Sequence, residues 1–374
     1  MVPILGITSS CTAITASILE DVWSFFGSVL QEHKSIKRDS KIAGDFIDMS
    51  QEFTNSKIQK RAVSNSVKSV IFAKINTNMS DVNRKWFYMI VLSIIWGTSY
   101  ILIKKGLEGF TPIQLGSVRI VITSFFLFLV GYRSIRNISK KEWFWVGLSG
   151  LFGSFIPVFL FSYAETEIDS SIASILNSLV PLFTILIGFL AFKISFTRNQ
   201  VVGVLTGLAG AILLIYIGSD INPNQNYWYA GLVVLATILY ACNANIIKSK
   251  LQEVSPMGIA VGNFAFMVIP ALILLFFSGA FSAPVREGTY FMSSLGYVFI
   301  LSILGTCVAK VMFNKLIQIS SPVFSVSVTY LIPVVGILWG LLDGERFSLW
   351  QVGAAAIILL GVYLVNKKRS VSQF

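Results

Sequence analysis

The sequence predicts an all-α polytopic membrane protein: ten transmembrane helices arranged as two five-helix repeats of inverted topology. Three observations predict it. Of 374 residues, 55% are hydrophobic and only 13% charged, with a mean hydropathy of +0.74, whereas an ordinary soluble domain carries about a quarter charged residues. The apolar residues gather into ten stretches of 16 to 22 residues, close to the ~20 that cross a bilayer as a helix. The last five stretches repeat features of the first five at nearly constant offset.

Residues 1–85 stand apart. They hold 8 acids and 11 Lys/Arg, 19 of the chain's 47 charged residues. Val2–Leu19 is moderately apolar but lacks the basic leader of a signal peptide. Glu32–Lys74 is polar with no sustained period, a composition that reads as disorder or loose amphipathic helix. The stretch "MSDVNRKWFYMIVLSIIWG" makes Met79 a plausible start, so 1–85 reads as a polar extension or as residues ahead of the start. The only histidine, His33, lies in this charged segment, which removes His-based metal and catalytic sites from the apolar region.

The expected spans are 86–104, 112–131, 143–163, 171–192, 200–217, 228–247, 257–277, 295–314, 322–342 and 351–366. Turn signals separate them: Gly106 to Pro112, Asn222–Pro223, Ser255–Pro256 and Ser321–Pro322. The runs are too long and continuous for the alternating strands of a barrel. Cys11, Cys242 and Cys307 are far apart and form no CxxC pair. The last two read as small buried hydrophobes.

The formal charge of +11 does not point to nucleic acid, because no soluble basic stretch interleaves with aromatics. It points to sidedness. Arg133, Arg136, Lys140 and Lys141 follow span two; Lys193 and Arg198 follow span four; Lys248 and Lys250 follow span six; Lys367, Lys368 and Arg369 open the tail 367–374. The loops after spans three and five hold no Lys or Arg. The positive-inside rule then places both termini in the cytoplasm.

The doubling is legible in pairs. Pro181 and Pro333 are 152 apart, as are Gly188 and Gly340; Lys104 and Lys248 are 144 apart, as are Pro112 and Pro256. Residues 86–217 and 228–366 therefore read as two copies of five helices. Five is odd, so the second copy enters the membrane from the opposite side, an arrangement used for alternating access around a midplane site.

The motifs "WGTSYILIK" (Trp96–Lys104), "SVRIVITS" around Arg119, "SSIASILNSLVPLFTILIG", its echo "SSPVFSVSVTYLIPVVGILWG", and "DGERFSLWQVGAAAIILLGVYLV" follow in order. In these, 86–366 resembles the drug/metabolite transporter superfamily, specifically its ten-helix exporter family built from two EamA domains. The resemblance implies secondary export of a small metabolite or drug across the cytoplasmic membrane. It also implies a central cavity surrounded by spans one, three, four, six, eight and nine. Lys193 stands where an acid would match Glu345, which leaves a shared role for that pair open.

Ionisable residues inside spans are costly and so are candidate functional groups. Arg119 suits an anion contact or a structural bond to a neighbouring helix. Lys310 suits the cavity or snorkelling toward Lys315. Glu165 suits proton coupling or a solvated loop. The uncharged candidates for the cavity are Trp96, Tyr100, Tyr163, Asn177, Tyr240, Asn243, Asn314, Thr329 and Tyr330. Pro181 and Pro333 break their helices near the middle. Gly203 and Gly207 form a GxxxG face that, with Gly353 and Gly361, suits packing within the chain or a homodimer. The expected partners are a solute and the bilayer, with no cofactor or metal. Rival readings are a polytopic membrane enzyme, or a sensor or scaffold acting through residues 1–85.

Overall fold

Ten helices account for most of the structure, a computed structural model that describes residues 81–192, 198–221, 225–280, 282–346 and 348–366. The extension 1–80, the expected charge at Lys193 and the basic tail lie outside the described residues. No strand occurs among them. The helices are α1 (Asp81–Gly106), α2 (Pro112–Gly131), α3 (Lys140–Ala164), α4 (Ser170–Ala191), α5 (Arg198–Ile221), α6 (Ala230–Lys250), α7 (Pro256–Phe277), α8 (Phe291–Ile319), α9 (Pro322–Leu342) and α10 (Leu349–Asn366).

The turn signals of the sequence become helix caps. Thr111 and Gln114 form a capping box at α2, with Pro112 at its first position. Ser139 and Glu142 do the same for α3. Ser255 caps α7 and Ser321 caps α9, each followed by proline. Each side-chain oxygen satisfies an amide that the first helical turn leaves unbonded, which matters most where water is scarce.

Among the described residues, eight helices are long and apolar enough to cross a membrane. In α5 and α10 the described residues include the shorter apolar runs Leu205–Ile217 and Leu349–Gly361. Large apolar side chains face outward, including Ile212, Ile269, Phe276 and Phe277. A surface so apolar belongs against lipid.

Two helix pairs fix the relation of the halves. α4 and α9 run antiparallel, because a Cβ on Gly336 would strike Ser174 and one on Gly340 would strike Ser171. α5 and α10 also run antiparallel: Gly207 lies on Gly361 and Gly210 on Ile358, at backbone-to-backbone range. The glycine face is thus spent inside the chain at Gly203, Gly207 and Gly361, while Gly353 faces open space. α1 and α9 run parallel, with Ser93 Oγ donating to Val328 O and Trp339 Nε1 to Thr98 Oγ1.

Four helices are not regular α-helix throughout. α4 tightens to a 3₁₀ turn at Asn177–Leu179, just before Pro181. α9 does so at Ser327–Tyr330, just before Pro333. Proline lacks the N–H that the carbonyl four residues back would accept, and its ring crowds that carbonyl. The freed carbonyls belong to Asn177 and Thr329, and that of Asn177 takes the Val180 N–H instead. α3 and α8 widen to π-turns at Leu151–Phe155 and Leu301–Val308.

Candidate functional site

The four irregular stretches meet around one cavity of about 100 Å³. A water occupies ~30 Å³ in the liquid, so several waters or a small solute fit. α1 contributes Trp96, Ser99 and Tyr100; α2 contributes Arg119; α3 contributes Gly153, Ser154 and Phe161. α4 gives Asn177, α6 gives Tyr240 and Asn243, α8 gives Gly305, Thr306, Lys310 and Phe313, and α9 gives Thr329. Asn177 is seven residues into α4, roughly 10 Å at 1.5 Å per residue, so the cavity sits well inside the hydrocarbon region.

The wide π-turns present carbonyls to this space. Gly305 O accepts Trp96 Nε1 at 3.0 Å, and Gly153 O accepts Lys310 Nζ at 3.0 Å. Glycine at both positions leaves room for a close neighbour. A Cβ on Gly153 would collide with the Asn243 amide, and one on Gly305 would press on Ser99. Asn243 Oδ1 accepts Ser149 Oγ at 2.7 Å, which fixes its amide. One side of the cavity is aromatic: Tyr100 meets Phe161 edge-on at 5.6 Å, Phe161 stacks on Tyr240 at 6.0 Å, and Trp96 meets Phe313 edge-on at 5.0 Å. Arg119 is buried, its Nε donating to Thr306 Oγ1 at 2.8 Å. Asn177 Oδ1 is buried with no partner among the described residues.

Eight sequence candidates therefore come together here: Trp96, Tyr100, Arg119, Asn177, Tyr240, Asn243, Lys310 and Thr329. Others do not. Tyr163 is exposed and Tyr330 is half-buried, both outside the lining. Asn314 is fully buried and its Nδ2 donates to Pro256 O at 3.2 Å, a brace between α8 and α7. Sequence reasoning missed Ser99, Gly153, Ser154, Gly305 and Thr306. A signal for two of them was present, since Gly153 and Gly305 are 152 apart, the same offset as Pro181 and Pro333.

Beyond the cavity, where α1 and α9 end, a clasp of charges joins the helices. Lys104 Nζ lies 2.8 Å from both Asp343 Oδ2 and Glu345 Oε1; Lys105 Nζ lies 2.7 Å from Asp343 Oδ1. Glu345 also accepts the Ser170 and Ser171 amides at 3.0 and 3.1 Å and the Ser170 hydroxyl at 2.7 Å. It thus caps the start of α4 while its charge sits at the favourable end of that helix. Burial works against the Glu345 carboxylate, but the Lys104 ammonium and the serine donors outweigh it and hold it below the usual carboxylate range. Asp343 is held low against partial burial by the two lysines. Glu165, just past α3, behaves oppositely. Both its oxygens are buried without a partner among the described residues, and burial, reinforced by the Glu345 charge, pushes its carboxyl well up.

At the other end Lys248, the counterpart of Lys104, reaches backbone carbonyls instead. Its Nζ donates to Ser320 O at 2.7 Å and to Gln318 O and Ile317 O at 3.3 and 3.4 Å, at the end of α8. Cys242 and Cys307 are free thiols. Among the described residues no group of three or more His, Cys, Asp or Glu could hold a metal.

The chain is similar to several curated proteins. It is 28% identical over 286 residues to "Uncharacterized inner membrane transporter YedA" of Escherichia coli (strain K12), covering 74% of this chain and 89% of that protein. It is 24% identical over 288 residues to an "Uncharacterized transporter" of Archaeoglobus fulgidus, covering 76% of this chain and all of that one. It is 24% identical over 287 residues to "Probable amino-acid metabolite efflux pump" of Salmonella typhimurium, covering 74% and 93%. A solved crystal structure aligns with a TM-score of 0.56 at 17% identity, covering 77% of this chain and 97% of that one, which shows a shared fold. The EamA-like transporter family profile matches twice, over residues 84–216 and 227–367. The chain belongs to the EamA-like transporter family.

Proposed function

We propose that the protein is a secondary transporter. A small organic solute binds in the cavity between two inverted five-helix halves, and rocking of the halves exposes it to each side of the membrane in turn. One observation carries the reading: one cavity is lined from both family matches, at equivalent helix breaks. Gly153 and Asn177 come from the first match, Gly305 and Thr329 from the second. The antiparallel crossings of α4 with α9 and of α5 with α10 support the inversion, because each joins a helix to its own counterpart. In this reading all ten helices span, 86–217 and 228–366 are the two halves, and both termini are cytoplasmic. α5 and α10 cross as a packed pair. Export is the direction favoured by the efflux-pump names of relatives.

Glu108 and Gln252 are 144 apart, both exposed, and follow α1 and α6. Cysteines placed there should react with an impermeant reagent from opposite sides of the membrane; reaction from one side sinks the inversion. Counterflow of a labelled solute panel in proteoliposomes tests the transport itself.

A further inference from the structure

We propose that the cavity selects small organic anions, whose carboxylate or phosphate seats between Arg119 and Lys310. The inference deepens the transporter reading and takes its site from it. Both cations line the cavity and both are buried. Charges inside membrane helices are normally paired with one another or with carbonyls. Among the described residues neither cation has a carboxylate within ion-pair distance. The ion pairs lie at the clasp, and no Asp or Glu lines the cavity. The buried Glu165 lies outside the lining.

Each cation keeps donors in reserve. A guanidinium has five N–H donors and an ammonium three. Arg119 spends Nε–H on Thr306 and Lys310 spends one donor on Gly153 O. The remaining donors have no protein acceptor among the described residues. The Thr306 bond also orients the guanidinium plane and leaves its outer fork, the part that pairs with carboxylate or phosphate oxygens, without a protein partner. Thr306 precedes Lys310 by four residues, about one helical turn, so two basic side chains face one small space and, when both are charged, repel each other. An anion between them relieves that repulsion. Trp96, Tyr100 and Tyr240 offer apolar faces for the rest of the solute.

The repeat argues against a purely architectural role. At the offsets that relate the halves, Arg119 corresponds to Asn263 (144 apart) and Lys310 to Val158 (152 apart). Asn263 is fully buried and Val158 is 4% exposed, so the fold packs both positions without charge in its other half.

The test uses the full-length chain in detergent with probes matched in shape: benzoate and phenyl phosphate against benzamide and benzylamine. The anions should raise the unfolding midpoint while the neutral and cationic probes do not. Arg119→Gln and Lys310→Gln should each weaken the apparent anion affinity by about tenfold or more, the scale of one charge-assisted contact. Arg119→Lys should recover part of it. Stabilisation by benzamide or benzylamine equal to that by benzoate overturns the inference. So does a panel in which no anion stabilises the protein, or unchanged anion affinity in both Gln variants. The wild-type panel decides alone if a variant does not fold. In proteoliposomes, flux of neutral solutes with none of anions ends the anion inference and leaves the transporter standing. Anions that bind but never cross, with no solute moving, end the transporter reading and leave the anion site.

Discussion

Lys104 and Lys248 occupy the same place in the two halves, yet they fasten the two ends of the molecule differently. Lys104 meets carboxylates, with Glu345 reaching on to the first amides of α4. Lys248 meets only carbonyl oxygens at the end of α8. The first clasp has acceptors that titrate and bridges α1, α4 and the α9–α10 connection. The second has acceptors that cannot titrate and draws on the negative end of a helix. One position, doubled and then given different partners, thus yields one lysine held by groups that acid neutralises and another held by groups that it does not.

The largest effect should come from Glu345→Gln. It strips the Lys104 pair while keeping an acceptor for the α4 amides, and breaking a buried pair costs on the order of 3 kcal/mol. Thermal unfolding in detergent should show a lowered midpoint, and an unchanged midpoint would mean the clasp contributes nothing. Acid should act on the same end. Asp343 and Glu345 are held low, so their stabilisation is complete above the ordinary carboxylate range and is lost as pH falls through their depressed values. Spin labels at Thr166 and Arg346 should then separate, while labels at Glu253 and Lys315 keep their distance; equal movement at both ends would erase the contrast. Lys248→Met should cost less, about 1–2 kcal/mol, with no dependence on carboxylate titration. The smallest effect on stability belongs to Pro181→Ala, within about 1 kcal/mol. Restoring the N–H should let α4 regularise and lower solute flux several-fold; full flux would remove the helix break from the mechanism.

Much of this was legible beforehand because membrane helices announce themselves. Continuous apolar runs, capping serines before prolines and repeated prolines are local signals, and they located the helices, the doubling and eight of the side chains that line the cavity. Arg119, Asn177 and Lys310 stood out because a polar group in an apolar run has to meet something. The π-turns did not stand out, since no residue type demands a wider turn. At these turns Gly153 and Gly305 let Asn243 and Ser99 approach the backbone closely. Asn314 and Tyr163 were misleading for a related reason. Spacing along a helix says which face a residue shares, but not whether that face meets the cavity, a neighbouring helix or the outside.

The seam between α5 and α10 sets a limit on movement. At Gly203, Gly207 and Gly361 two backbones touch with no side chain between them, and one helix comes from each half. Contact this close fixes the spacing of the two helices at the glycines, because nothing lies between them to be removed. Separation would open a void against backbone. In the proposed rocking motion the seam would be the axle about which the two halves turn, with the cavity set between them.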